Sequence, residues 1–152
     1  MTVSEYIASV QNLVEDLERS REARALRAGL SGIALIRNRV QKKRQAPDGG
    51  IFGEYARPKK NRAASGDQRI NWTDTGAMMG GLTVVTERKN SEGVTVAIEP
   101  KTQKLKARLS YNVELQERKN RNPNIIALSD EEVDLVIEEY SENLFADIQK
   151  YL

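Results

Sequence analysis

The residues best placed to do chemistry in this chain are Asp74-Thr75-Gly76-Ala77, inside "INWTDTGAMMGG" (Ile70 to Gly81). An aspartate in such a string can catalyse hydrolysis when it is buried against the matching aspartate of a second copy. Two like charges that close cannot both ionise, so one carboxyl keeps a proton as acid while the other acts as base. Little other catalytic chemistry is open. The 152 residues include no cysteine and no histidine, which removes thiol nucleophiles, disulfides, imidazole bases and the usual zinc ligands. No cofactor and no metal are expected.

The elements around Asp74 decide between chemistry and structure. A retropepsin-like aspartic protease feeds its Asp-Thr-Gly from a buried apolar strand, within a scaffold that is almost all strand. Here Asn71, Trp72 and Thr73 precede the motif, long helical patterns flank it, and no glycine-rich flap or second apolar-Gly segment completes such a fold. The alternative is a cap. Asp74 or Thr75 accepts backbone N–H bonds from a short helical turn beginning at Gly76, and Asp74 does no chemistry. The capping reading is preferred, so the chain is expected not to be an enzyme.

The composition, 39% hydrophobic with 5% aromatic, predicts one α+β domain over residues 1–152 with an aliphatic core. Tyr6, Ile7, Val10, Leu13, Val14 and Leu17 recur at helical spacing and should pack one face of an N-terminal helix. Leu26, Leu30, Ile33, Ile36 and Val40 continue the pattern across Gly29 and Gly32, which mark either a break or close packing. The helical signal stops at Pro47, Asp48 and Gly49, where turn chemistry begins. A long polar, basic loop is expected from Asp48 to Asn71, mobile until a partner orders it.

Beyond Gly81, "LTVVTER" and "VTVAIE" read as two strands joined at "KNSEG", a small antiparallel sheet in the form of a hairpin closed by Pro100. Leu105, Leu109 and Val113 suggest a further helix ending before "RKNRNPN". A C-terminal amphipathic helix is predicted most clearly. Ser129 caps it, Glu132 returns a bond to the cap's own amide, and Val133, Val136, Ile137, Tyr140, Leu144, Ile148 and Tyr151 form its apolar stripe.

The net charge of +2 hides an uneven distribution. Arg19 to Arg69 hold fourteen Lys/Arg against four Asp/Glu, a balance of +10, and Ser129 to Leu152 hold eight Asp/Glu against one Lys, a balance of −7. Such a split suits head-to-tail contact between copies or binding to nucleic acid through "RNRVQKKR" and "RPKKNR". Few aromatics interleave with these cations, which gives base stacking little support. The N-terminus lacks a basic region followed by an apolar run, and no stretch approaches a membrane span, so a soluble protein assembled in the cytoplasm with no membrane partner is expected.

Three blocks together carry a resemblance: "IRNRVQKKRQAPDGGIF", then a basic stretch leading into "TDTGAMMGGL", then "IIALSDEEVDLVIEEY". Their order and spacing resemble the tailed-phage virion-morphogenesis or tail-completion proteins over roughly the whole chain, with Phe52 standing where the family often has Trp. The resemblance implies a non-enzymatic virion subunit of the neck or tail, assembled in the host bacterial cytoplasm. It implies a homo-oligomer, a hexameric ring at the head-tail junction that contacts other neck, connector, tail-terminator or tail-tube proteins. Contact with DNA in the ring lumen is compatible with it. The expected partner-facing residues are Phe52, Tyr55, Arg57, Lys59, Lys60, Arg62 and Arg69. Pro47, Asp48, Gly49, Asp74, Thr75, Gly76, Ser129 and Glu132 are expected to serve as turns and caps.

Overall fold

Thr2 opens the first helix because its hydroxyl accepts from the Glu5 amide while the Glu5 carboxylate accepts from the Thr2 amide, so two otherwise unpaired N–H groups are satisfied at once. From there α1 runs without interruption over Val3–Arg37 and widens into a π-helical segment, Asn38–Lys43. Arg44 ends it in the left-handed conformation, with φ of 60°. The computed structural model describes residues 2–52, 77–117 and 126–151.

The two glycines inside α1 mark close packing and no break. A Cβ at Gly29 would lie 2.6 Å from Cγ1 of Val84, and one at Gly32 would lie 3.2 Å from Cδ1 of Ile98. Both contacts come from the hairpin of β1 (Leu82–Asn90) and β2 (Gly93–Pro100), which lies directly on the helix backbone. Each strand extends about as far as its Val/Thr-rich run, with a two-residue turn at Ser91-Glu92. There the Asn90 side-chain oxygen accepts from the Glu92 and Gly93 amides, both at 3.1 Å. The register slips by one residue between Thr86 and Arg88, which leaves Glu87 as a bulge.

Between the π-helical segment and residue 52 the chain makes a tight turn. Pro47 presets its φ, Gly49 adopts φ of 81°, and the Asp48 carboxylate accepts from the Gly50 amide at 2.9 Å. Gln45 and Ile51 pair across it. The sequence places a polar loop from Asp48 onward, yet Ile51 and Phe52 are already part of this folded turn. Phe52 is only 8% exposed and belongs to the core with Ile33, Ile36, Val40, Ala46, Met79 and Leu82. Met79 comes from the short helix α2, Ala77–Gly80, whose carbonyls at Met79 and Gly80 accept from Arg37. Helix α3, Gln103–Glu117, rests on β2, where Lys106 meets Glu99 at 2.8 Å.

The last helix, α4, spans Asp130–Gln149 and runs antiparallel to α1, with Glu132 beside Arg39 at one end and Tyr151 beside Asp16 at the other. Its start is as the sequence predicts. Ser129 accepts from the Glu132 amide and its own amide donates to Glu132. The apolar stripe is only partly used, because Val133 and Ile137 stay 39% and 57% exposed. The N-terminal stripe departs further from expectation: Tyr6, Ile7, Val10 and Val14 are exposed. Neither α4 nor the hairpin tip reaches them, since the first residues of α1 hydrogen-bonded to those elements are Asp16 and Glu22.

Candidate interaction surface

Four polar contacts fasten α4 to α1, and they consume charges that the sequence leaves as surface. Arg39 is the most deeply placed. Its Nε donates to both Glu132 carboxylate oxygens at 2.9 and 3.1 Å, while its terminal nitrogens donate to the carbonyls of Gln45 at 3.1 Å and Ala127 at 2.6 Å. Both partners are buried. Further along, Arg24 bonds Asp147 at 2.8 Å and the Leu17 carbonyl, Arg27 donates to Asn143, and the Tyr151 hydroxyl donates to Asp16. Two arginines of the basic middle are thus interior counter-charges for the acidic helix.

These contacts set the ionisation of the groups that make them. The hydrogen bond from Lys150, and then that from Arg24, hold the Asp147 carboxyl below the usual carboxylate range. Glu22 is lowered by the hydrogen bonds from Lys89 and Thr86, which tie the hairpin tip to α1. Tyr151 is raised because its hydroxyl donates to Asp16 and is partly desolvated. A depressed carboxylate adds stability that is present above its unfolded value, about 4, and is lost as pH falls through the lower folded value. A raised tyrosine adds stability that is present below about 10 and is lost as pH rises through its folded value. With no histidine to titrate between, the melting temperature should stay nearly flat from about pH 5.5 to 9 and fall on both sides. Thermal melts across that range check this, and a transition centred near neutral pH would contradict it.

The opposite face of α4 remains outward. Glu131, Asp134, Glu138 and Glu142 follow one another at steps of three and four residues, so they share one side of the helix, with Asp130 at its start. All five are exposed, and none makes an ion pair with a described residue. No lysine or arginine occurs between Asp130 and Gln149 to relieve them. Within and beside this acidic stripe, Leu135 and Phe145 are 50% and 64% exposed. Large apolar side chains ringed by charge are a usual make-up of a protein contact surface. Of the cations at the end of the π-helical segment, Lys43 lines a cavity together with Asp130, Glu131 and Leu135, and Lys42 is exposed.

Of the residues singled out by sequence, Pro47, Asp48 and Gly49 form the turn and Ser129 with Glu132 forms the cap. Phe52, expected at a partner contact, is instead a core residue, because the turn folds its ring back under α1. Tyr55, Arg57, Lys59, Lys60, Arg62 and Arg69 lie outside the described residues, as do Asp74, Thr75 and Gly76. Helix α2 begins immediately after them, at Ala77. The charge count gives the acidic balance from Ser129 to Leu152 but not the single face the carboxylates share, nor the exposure of Leu135 and Phe145 beside them. The signal for that face was the three- and four-residue recurrence of carboxylates.

Among the described residues no group of three or more acidic side chains could hold a metal ion, and no helix is long and apolar enough to cross a membrane. Comparison of the chain with protein-family models, curated proteins and solved structures finds no match.

Proposed function

We propose that this chain is a non-enzymatic subunit of a tailed-phage neck or tail-completion ring, a hexamer that finishes the top of the tail and mediates its joining to the head. The observation that carries the reading is the outward face of α4, a line of carboxylates without a cation of its own helix among them and with Leu135 and Phe145 exposed beside it. A ring requires heterologous contacts, in which one surface of each copy meets a different surface of the next. The acidic face is one such surface. The basic segment containing Arg57, Lys59, Lys60 and Arg62 supplies the opposite charge, which steers and registers association more than it adds affinity.

Two features favour this reading over the alternatives. Arg24 and Arg39 are committed to Asp147 and Glu132, so they are not available to neutralise nucleic-acid phosphates. The helix-dominated architecture, with a single two-stranded sheet among the described residues, also differs from the strand scaffold that aspartic-protease chemistry needs.

The test is charge reversal at Arg57, Lys59, Lys60 and Arg62, each to Glu. The variant should keep its helix content by circular dichroism, yet fail to form rings and fail to join separately prepared heads and tails. Raising the salt should weaken the wild-type association in the same direction, because exposed charges are screened beyond about 8 Å at physiological ionic strength. Normal assembly of the reversed variant in both assays would defeat the proposal.

A further inference from the structure

The hairpin has one guarded edge and one open edge. Along β2, Pro100 has no N–H to offer, and α3 rests on the strand with Lys106 at 2.8 Å from Glu99. Along β1, no described residue pairs with the side turned away from β2. The groups left there follow from the ladder, because bonded and non-bonded pairs alternate in an antiparallel sheet. The Lys101 amide donates to the Gly81 carbonyl at 2.7 Å, which makes that pair a bonded one. Leu82, Val84 and Thr86, opposite Pro100, Ile98 and Val96, therefore hold the non-bonded positions, and their N–H and C=O groups point out of the open edge.

Natural sheets blunt such an edge with charge or a bulge. Here both devices begin only at Glu87, where the register slips, and residues 82–86 carry no charge. A second copy of the same strand complements them. An antiparallel pairing centred on Val84 sets Leu82 against Thr86 of the second copy, Val84 against its own counterpart and Thr83 against Val85, so outward groups meet outward groups. No like charges come together, because Glu87 and Arg88 fall opposite Gly81 and Gly80.

The helices fit the same pairing. α1 lies over both strands, with Gly29 against Val84 of β1 and Gly32 against Ile98 of β2. Strands lie about 4.8 Å apart, so two hairpins side by side set their helices about 10 Å apart, a spacing at which helices pack. Each residue turns about 100° around a helix, so Leu30 stands past Gly29 on the side away from Gly32, beyond the open edge of β1. Ala23 and Ala34 share that side. All three are exposed in the single copy, Leu30 by 58%, and none is charged.

We propose that the outer edge of β1 takes the β1 edge of a second copy, giving one antiparallel sheet in the order β2-β1-β1-β2 with both α1 helices on one face. The contact is two-fold and joins like to like, so it is separate from the head-to-tail contacts of the ring and does not depend on them.

Hydrogen exchange of the wild-type chain, followed amide by amide, tests it. On going from dilute to concentrated protein, the amides of Leu82, Val84 and Thr86 should slow by about tenfold or more, while those of Thr83 and Val85, already bonded to β2, are protected at both. Fast exchange of the first three at every concentration overturns the proposal. So does equal protection at every concentration, which would mean that the chain covers its own edge.

Cross-linking gives an independent measure, since the chain has no cysteine. The single variants Thr83→Cys and Val85→Cys are mixed, oxidised and resolved on a non-reducing gel. Directly opposed side chains lie about 4.5–5.5 Å apart at Cβ and diagonal ones about 7–8 Å, so the disulfide between the two variants should form in clear excess over either with itself. No excess of the mixed disulfide rejects the contact.

Discussion

Replacing Arg39 with alanine is expected to lower the unfolding free energy by about 3–5 kcal/mol, the usual consequence of leaving one member of a buried ion pair without its partner. The geometry explains why the loss is large. Arg39 spends three nitrogens on Glu132 and on the carbonyls of Gln45 and Ala127, so its removal leaves a buried carboxylate and two carbonyls short of a donor. Those acceptors belong to the turn after the π-helical segment and to the approach to α4, so one substitution loosens both.

Glu132→Ala should cost a similar amount, since it strands the guanidinium and removes the bond to the Ser129 amide. Glu132→Gln keeps a capping side chain but loses the counter-charge, and should fall between. The double variant Arg39→Met, Glu132→Leu should cost much less than the two alanine losses together, because an apolar pair needs neither desolvation nor a partner. Urea unfolding of the four variants measures these values. Single-variant losses below about 1 kcal/mol would show that Arg39 is replaceable by water and that α4 is held by its apolar contacts.

Ile36→Ala is expected to cost about 2–5 kcal/mol, whereas Leu30→Ala should stay within about 0.5 kcal/mol. The two residues belong to one apolar series along α1, and sequence spacing treats them alike. Ile36 is fully buried at the centre of the cluster with Val40, Phe52 and Met79, so truncation removes contacts and leaves a cavity that close-packed neighbours refill only in part. Leu30 is 58% exposed and leaves no such cavity. Thermal or urea melts of both variants decide the matter. Comparable losses would mean that Leu30 is covered in solution, and by a surface other than the described fold.

The features legible in the sequence are those whose causes lie within a few residues of one another. The Ser129–Glu132 capping box, the turn at Pro47, Asp48 and Gly49, and the hairpin joined at Asn90 to Gly93 each depend on one side chain reaching a backbone amide two or three positions away. The helices of α1 and α4 follow in the same way from residues spaced to share a face. Such interactions need no knowledge of what lies across the molecule.

What tertiary structure decided were questions about which surfaces meet. Whether Gly29 breaks α1 or admits Val84 depends on the hairpin folding back from fifty residues away. Whether Arg24 and Arg39 are surface charge or interior partners depends on α4 returning antiparallel along α1, more than ninety residues later. Phe52 is expected at a partner contact from its place in the family resemblance, but a four-residue turn points it inward. The stripe from Tyr6 to Val14 shows the limit from the other side. Helical spacing determines that an apolar face exists, while only the length of α4 and the reach of the hairpin determine that this end of it stays open. Apolar periodicity is a property of one helix, and burial is a property of two surfaces.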